Sequence, residues 1–144
     1  MKKRNLFLLV GIFLSITTLC DAQTVSVNQL VNTKWYCGEN KSIDEFMEFS
    51  KDSIRQSYEN LYIHRTITFS KPFYLSNNKK EVFDMKKVGT PTSGKYLLRW
   101  NMKMKGKEYC EITTLTKDSL VLFFEAQPNH IGAEDVYFTY KRVR

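Results

Sequence analysis

The sequence predicts an all-β domain, an antiparallel up-and-down β-barrel of about eight to ten strands, with a two-sheet sandwich as the alternative. Apolar residues recur at every second position in several short runs, the mark of strands with one face inward. Those runs are separated by turn-forming pairs, Glu-Asn at 39–40 and 59–60 and Lys-Asp at 51–52 and 117–118. Only residues 25–32 have the spacing of a helical turn, with Ser26 as its cap. A meander of successive strands without substantial helix closes most easily on itself, because closure removes both sheet edges.

Taken in order, the chain starts with a segment of different character. Lys2, Lys3 and Arg4 precede an apolar run over 6–16, followed by Cys20-Asp21-Ala22. A basic start, a short apolar stretch and small residues before a cut between Ala22 and Gln23 describe a secretory signal, too short to span a bilayer comfortably. Residues 1–22 are therefore expected to be removed. Residues 23–144 are expected to form one domain, exported to the periplasm or secreted, in the style of a Gram-negative bacterial protein. The alternative, a lipid anchor on Cys20, wants a small residue before the Cys, and Leu19 is large.

Strands are expected at 35–38, 43–50, 53–60, 61–70 and 73–75, the last with Pro72 at its start, where a missing donor does little harm. In 53–60 the inward set is Ile54, Gln56 and Tyr58. Residues 76–80 and 88–94 read as loops. The clearest alternation follows at 95–105, with Tyr96, Leu98, Trp100, Met102 and Met104 on the face assigned to the interior. Lys95, Arg99, Asn101, Lys103 and Lys105 fall on the wet face, and Leu97 is the lone exception. A turn at Gly106-Lys107, a partner strand at 108–116, a short apolar strand at 119–125 and a last strand at about 136–143 complete the chain.

The formal net charge is +7. Lys79, Lys80, Lys86, Lys87, Lys95, Arg99, Lys103, Lys105 and Lys107 crowd one stretch against Glu81 and Asp84, which predicts one basic face or rim. Such a face protects strand edges and solubility, or attracts an anion such as a lipid head group, a fatty-acid carboxylate or an acidic glycan. Export argues against nucleic acid as the partner. Cys37 and Cys110 either form a disulfide, as an oxidising compartment allows, or are two buried apolar thiols. Neither has a second Cys or His at ligand spacing, so no metal is expected, and nothing implies a cofactor.

Three segments carry a family resemblance. Leu30-Val31-Asn32-Thr33-Lys34-Trp35 is similar to the approach to a first strand whose Trp closes a barrel floor. Tyr109-Cys110-Glu111-Ile112-Thr113-Thr114-Leu115-Thr116-Lys117-Asp118-Ser119-Leu120-Val121-Leu122 is similar to a late hairpin, and Tyr137-Phe138-Thr139-Tyr140-Lys141-Arg142 to a closing strand ending in Arg. With these the chain resembles the lipocalin-like domains of exported bacterial proteins and, more loosely, the lipocalins, which generally carry Gly where this chain has Thr33. The resemblance implies that Arg142 or Arg144 packs over Trp35 by a cation–π contact, a structural barrel closure.

A small barrel either fills its interior or encloses one small ligand. The expectation is an exported lipocalin-like binding protein that carries or senses a small apolar or amphipathic molecule, with Tyr58, Arg65, Leu98, Trp100 and Met102 as ligand-binding residues. Arg65 is notable because it shares the apolar register of Leu61, Ile63, Ile67 and Phe69. The alternative is a filled core acting as a surface module, whose basic rim binds a protein or an anionic glycan. No enzyme is expected. His64 lacks a nucleophile in a Gly-flanked elbow, and His130 with Glu134 and Asp135 reads as a solvated turn.

Overall fold

A computed structural model describes residues 23–40, 42–126 and 133–144. Residues 1–22, expected to be a signal and including Cys20, and residues 127–132 with His130 lie outside the described residues. The elements run β1 Val25–Ser26, α1 Val27–Leu30, β2 Thr33–Asn40, β3 Ile43–Phe49, β4 Ser53–Asn60, β5 Arg65–Ser76, the 3-10 turn η1 Met85–Lys87, β6 Ser93–Gly94, β7 Tyr96–Asn101, β8 Gly106–Leu115, β9 Ser119–Phe124 and β10 Val136–Val143. Eight strands close an antiparallel barrel in the order β10, β2, β3, β4, β5, β7, β8, β9. Each strand pairs with its neighbours in the chain, and β10 returns to β2 through Arg142 opposite Trp35. The expected up-and-down barrel is thus the observed fold.

One end of the barrel is plugged. Ser26 caps α1 in a capping box with Gln29, its hydroxyl accepting the Asn28 amide at 3.3 Å. The turn drives Val27 and Leu30 into the core beside Val25. β1 lies on β6, Val25 opposite Gly94. A Cβ on Gly94 would come within 2.2 Å of the Ser76 carbonyl carbon, so only glycine lets the β6 backbone approach β5 so closely. Trp35 is fully buried at this end. Its indole N–H donates to Thr33 Oγ1 at 2.7 Å, and the Thr33 hydroxyl donates to the Leu30 carbonyl at 2.5 Å. The Arg142 guanidinium lies 5.4 Å from the Trp35 ring centre.

β7 corrects the sequence reading of its faces. Leu97 stands opposite Leu75 and Cys110 and belongs to the core cluster, so Leu97 and Arg99 point inward while Tyr96, Leu98 and Trp100 point outward. The cause lies in the 77–92 excursion, which folds back over the outside of the barrel. Phe83 packs on Tyr74 and Trp100 with ring centres 5.0 and 5.7 Å apart, and Tyr74 opposes Leu98 across the β5–β7 ladder. Lys107 Nζ donates to the carbonyls of Lys79 and Glu81, pinning the excursion down. The outer face of β7 is therefore apolar without being the barrel interior.

The strand is also shorter than expected, since 102–105 is a turn, as is 61–64. Cys37 and Cys110 are buried thiols and no disulfide joins them; burial pushes the Cys110 thiol up to about 11. The basic residues of 79–107 do not form one face. Arg99 is interior, Lys79 pairs with Glu125, Lys87 with Glu81, Lys95 lies 4.0 Å from Glu111, and Lys103 and Lys105 sit at the 102–105 turn.

Candidate functional site

The end opposite α1 is built differently. Inward positions that are apolar near Trp35 become polar toward this mouth: Glu45 on β3, Gln56 and Tyr58 on β4, Lys71 on β5, Arg99 and Asn101 on β7, Glu108 on β8 and Tyr140 on β10. They join in one network. Tyr140 Oη donates to Glu45 Oε1 at 2.9 Å, Gln56 Nε2 donates to Glu45 Oε1 at 3.1 Å and to Tyr58 Oη at 3.2 Å, and Arg99 donates to Gln56 Oε1 at 3.3 Å. Arg99 Nε lies 3.0 Å from Glu108 Oε2, and Glu108 also accepts from Lys71 at 2.6 Å and Asn101 at 2.6 Å. The Nε–H is turned off the line to Glu108, so this buried donor has charge attraction but no hydrogen bond among the described residues. The Phe124 ring lies 5.5 Å beneath the Arg99 guanidinium.

The charges tune one another. Burial pushes the Glu108 carboxyl up, but the hydrogen bonds from Lys71 and Asn101 and the positive charge of Arg99 outweigh it and hold the group below the ordinary carboxylate range. Burial and the Glu45 carboxylate push Tyr58 up to about 12 and raise Tyr140 as well, so both phenols stay protonated donors at neutral pH.

Above this network the barrel wall splits. β5 pairs with β7 only from Phe73 onward. The Phe73 amide points toward the β4 side, where it meets the Asp52 carbonyl, so the missing N–H of Pro72 faces β7. With no donor there, the ladder stops at Pro72, and β5 parts from the β7–β8 hairpin. The gap is a cavity of about 460 Å³ lined by Gln56, Tyr58, Phe69, Ser70, Lys71, Asn101, Met102, Lys103 and Met104. Phe69, Tyr58 and the two methionines form its apolar walls, and Gln56, Lys71 and Asn101 its polar floor. Lys103 Nζ sits 4.6 Å from the Phe69 ring centre at its lip.

Of the residues expected at a ligand site, Tyr58 and Met102 line this cavity. Leu98 and Trp100 lie on the other side of the wall, under the excursion. Arg65 keeps the inward phase of Ile67 and Phe69, but it lies beyond the ends of β7 and β8, where that phase meets solvent. Arg99, Glu108 and Lys71 were not singled out as site residues, because a charged residue in an alternating strand reads as its wet face. Among the described residues no group of three or more His, Cys, Asp or Glu side chains is placed to hold a metal ion, and no helix is long and apolar enough to cross a membrane. No protein family, curated protein or solved structure matches the chain.

Proposed function

We propose that the chain is an exported, lipocalin-like binding protein that holds one small amphipathic molecule at the barrel mouth. The observation that carries this reading is the cavity at the β5–β7 split, apolar in its walls and polar at its floor. Its volume of about 460 Å³ falls within the range of small-molecule sites, about 300–1,000 Å³. The apolar part of the ligand lies between Phe69, Tyr58, Met102 and Met104. Its polar end faces Lys71, Gln56 and Asn101. Around that floor Lys71 and Arg99 outnumber Glu108, while Glu45 sits on the far side of Gln56, so a carboxylate or another anionic acceptor is the favoured head group. The role is binding, with no bond made or broken.

Native mass spectrometry with organic extraction, on the processed chain purified after export, tests the reading. A stoichiometric co-purified amphiphile is expected, together with saturable binding of a fluorescent fatty acid. Lys71→Gln is expected to weaken that binding by roughly tenfold, the worth of one charge-assisted hydrogen bond, and Arg65→Gln to leave it unchanged. A clean apo mass with no fatty-acid binding would sink the proposal.

A further inference from the structure

The mouth carries a second feature, which shares Met102, Lys103 and Met104 with the cavity and extends beyond it to the 61–64 turn. The turns at 61–64 and 102–105 share one design. In the first, Asn60 Oδ1 accepts the amides of Tyr62 and Ile63 at 3.0 and 3.2 Å, His64 takes a φ of 49°, and the ladder closes with Asn60 opposite Arg65. In the second, Asn101 Oδ1 accepts the amides of Lys103 and Met104 at 3.0 and 3.1 Å, Lys105 takes a φ of 49°, and the ladder closes with Asn101 opposite Gly106. Neither left-handed residue is glycine, so each turn keeps this shape against a steric cost.

Both turns hold large apolar side chains out in solvent. Tyr62 is 74% exposed, Ile63 66%, Met102 65% and Met104 80%. β5 and β7 are neighbours in the barrel, so the two tips stand side by side at the same end. Arg65, Lys103 and Lys105 stand among them, and neither turn contains an acid.

We infer that these paired tips dock the barrel mouth on an anionic lipid surface. The apolar side chains enter the boundary between head groups and acyl chains, and the cations meet lipid phosphates. Charge complementarity selects this occupant over a second copy of the chain, since a two-fold contact would bring like-charged tips together. Two separate protruding tips also suit a deformable surface better than a rigid flat one. The opposite side of the rim carries Glu134 and Asp135, so the barrel tilts toward its β4–β8 side on the membrane. Tyr62, Ile63, Arg65 and Lys105 lie outside the cavity lining, so substitutions there test docking apart from ligand binding.

Co-sedimentation of the exported, processed chain with vesicles tests it. Binding is expected to vesicles of equal parts phosphatidylglycerol and phosphatidylcholine, to weaken as salt rises, and to be far weaker to phosphatidylcholine alone. Tyr62→Ser with Ile63→Ser, and separately Arg65→Glu with Lys105→Glu, are each expected to reduce partitioning by roughly tenfold or more. Both variants should keep the parent's thermal midpoint and its fatty-acid binding, which separates failure of docking from failure of the cavity reading. Equal binding to both lipid compositions, tip variants that bind like the parent, or a dimer in sedimentation equilibrium that the tip variants abolish would each overturn the inference.

Discussion

The two ends of this barrel are made by the same eight strands and solve opposite problems. At the plugged end the inward positions are Leu30, Trp35, Leu97, Ile112 and Leu120, all fully buried, and the few polar atoms there are satisfied locally through the Trp35–Thr33–Leu30 chain. At the mouth the same inward phase carries Glu45, Gln56, Arg99 and Glu108, held by hydrogen bonds and charge instead of apolar contact. Burying such groups costs free energy that pairing only roughly offsets, so the mouth adds little to stability. The difference teaches where the molecule keeps its stability and where it keeps its chemistry. One end closes the fold, and the other holds open a polar-floored cavity.

The largest test of this contrast is truncation at the plugged end. Trp35→Ala removes the bulkiest buried side chain, strands the Thr33 hydroxyl as acceptor and frees Arg142. It is expected to lower unfolding stability by about 3–5 kcal/mol, read by chemical denaturation. Met102→Ala at the mouth removes an exposed side chain and is expected to stay within about 0.5 kcal/mol of the parent. Similar losses from the two substitutions would erase the distinction between the ends.

A smaller effect sharpens it from the mouth side. Arg99→Met leaves Glu108 with Lys71 and Asn101 only and leaves Gln56 without its donor, for an expected loss of about 1–3 kcal/mol. Arg99→Met with Glu108→Leu should recover much of that loss, because Lys71 can turn to water once no buried carboxylate needs it. The pH dependence follows from the same pairings. The Glu108 carboxyl is held low in the folded state, so its contribution is present above the unfolded-state value, about 4.3, and is lost as pH falls through the folded-state value. The thermal midpoint should therefore drop as pH is lowered from about 5. The drop should be shallower in Arg99→Met, where part of the pull on Glu108 is gone.

The barrel was legible because alternation and turn pairs are local signals that survive without tertiary context. The α1 cap at Ser26 and the closing strand over 136–143 were legible for the same reason. The phase of β7 was not. Both its faces are apolar near the middle, and nothing within 95–105 says that residues 77–92 return to cover the outer one. Leu97, which looked like the exception, marked the interior. Once the phase is inverted, Arg99 moves from solvent to the centre of the network, and Leu98 and Trp100 leave the cavity. The turns at 61–64 and 102–105 were hidden by their own chemistry, since His64 and Lys105 occupy left-handed positions where glycine would have announced a turn. Pro72 was visible, but its meaning was not. It sits within β5, and its missing donor opens the wall only because β7 is the strand on that side.

The smallest effect concerns the clasp between the last strand and the floor. Arg142 is exposed and its guanidinium stacks over the Trp35 ring, so Arg142→Gln is expected to cost only about 0.5–1 kcal/mol. The loss should shrink in a Trp35→Phe background if the contact is its source, because a phenyl face is a weaker partner for a cation than an indole. The mouth offers a matched pair in Lys103 over Phe69. Lys103→Gln should cost no more stability than Arg142→Gln. Phe69 is a wall of the cavity and Trp35 a part of the plug, so of the two substitutions only Lys103→Gln should alter fatty-acid binding. Equal changes in binding from both would mean that the ligand reaches the floor of the barrel, and the division between a sealed end and a receptive one would fail.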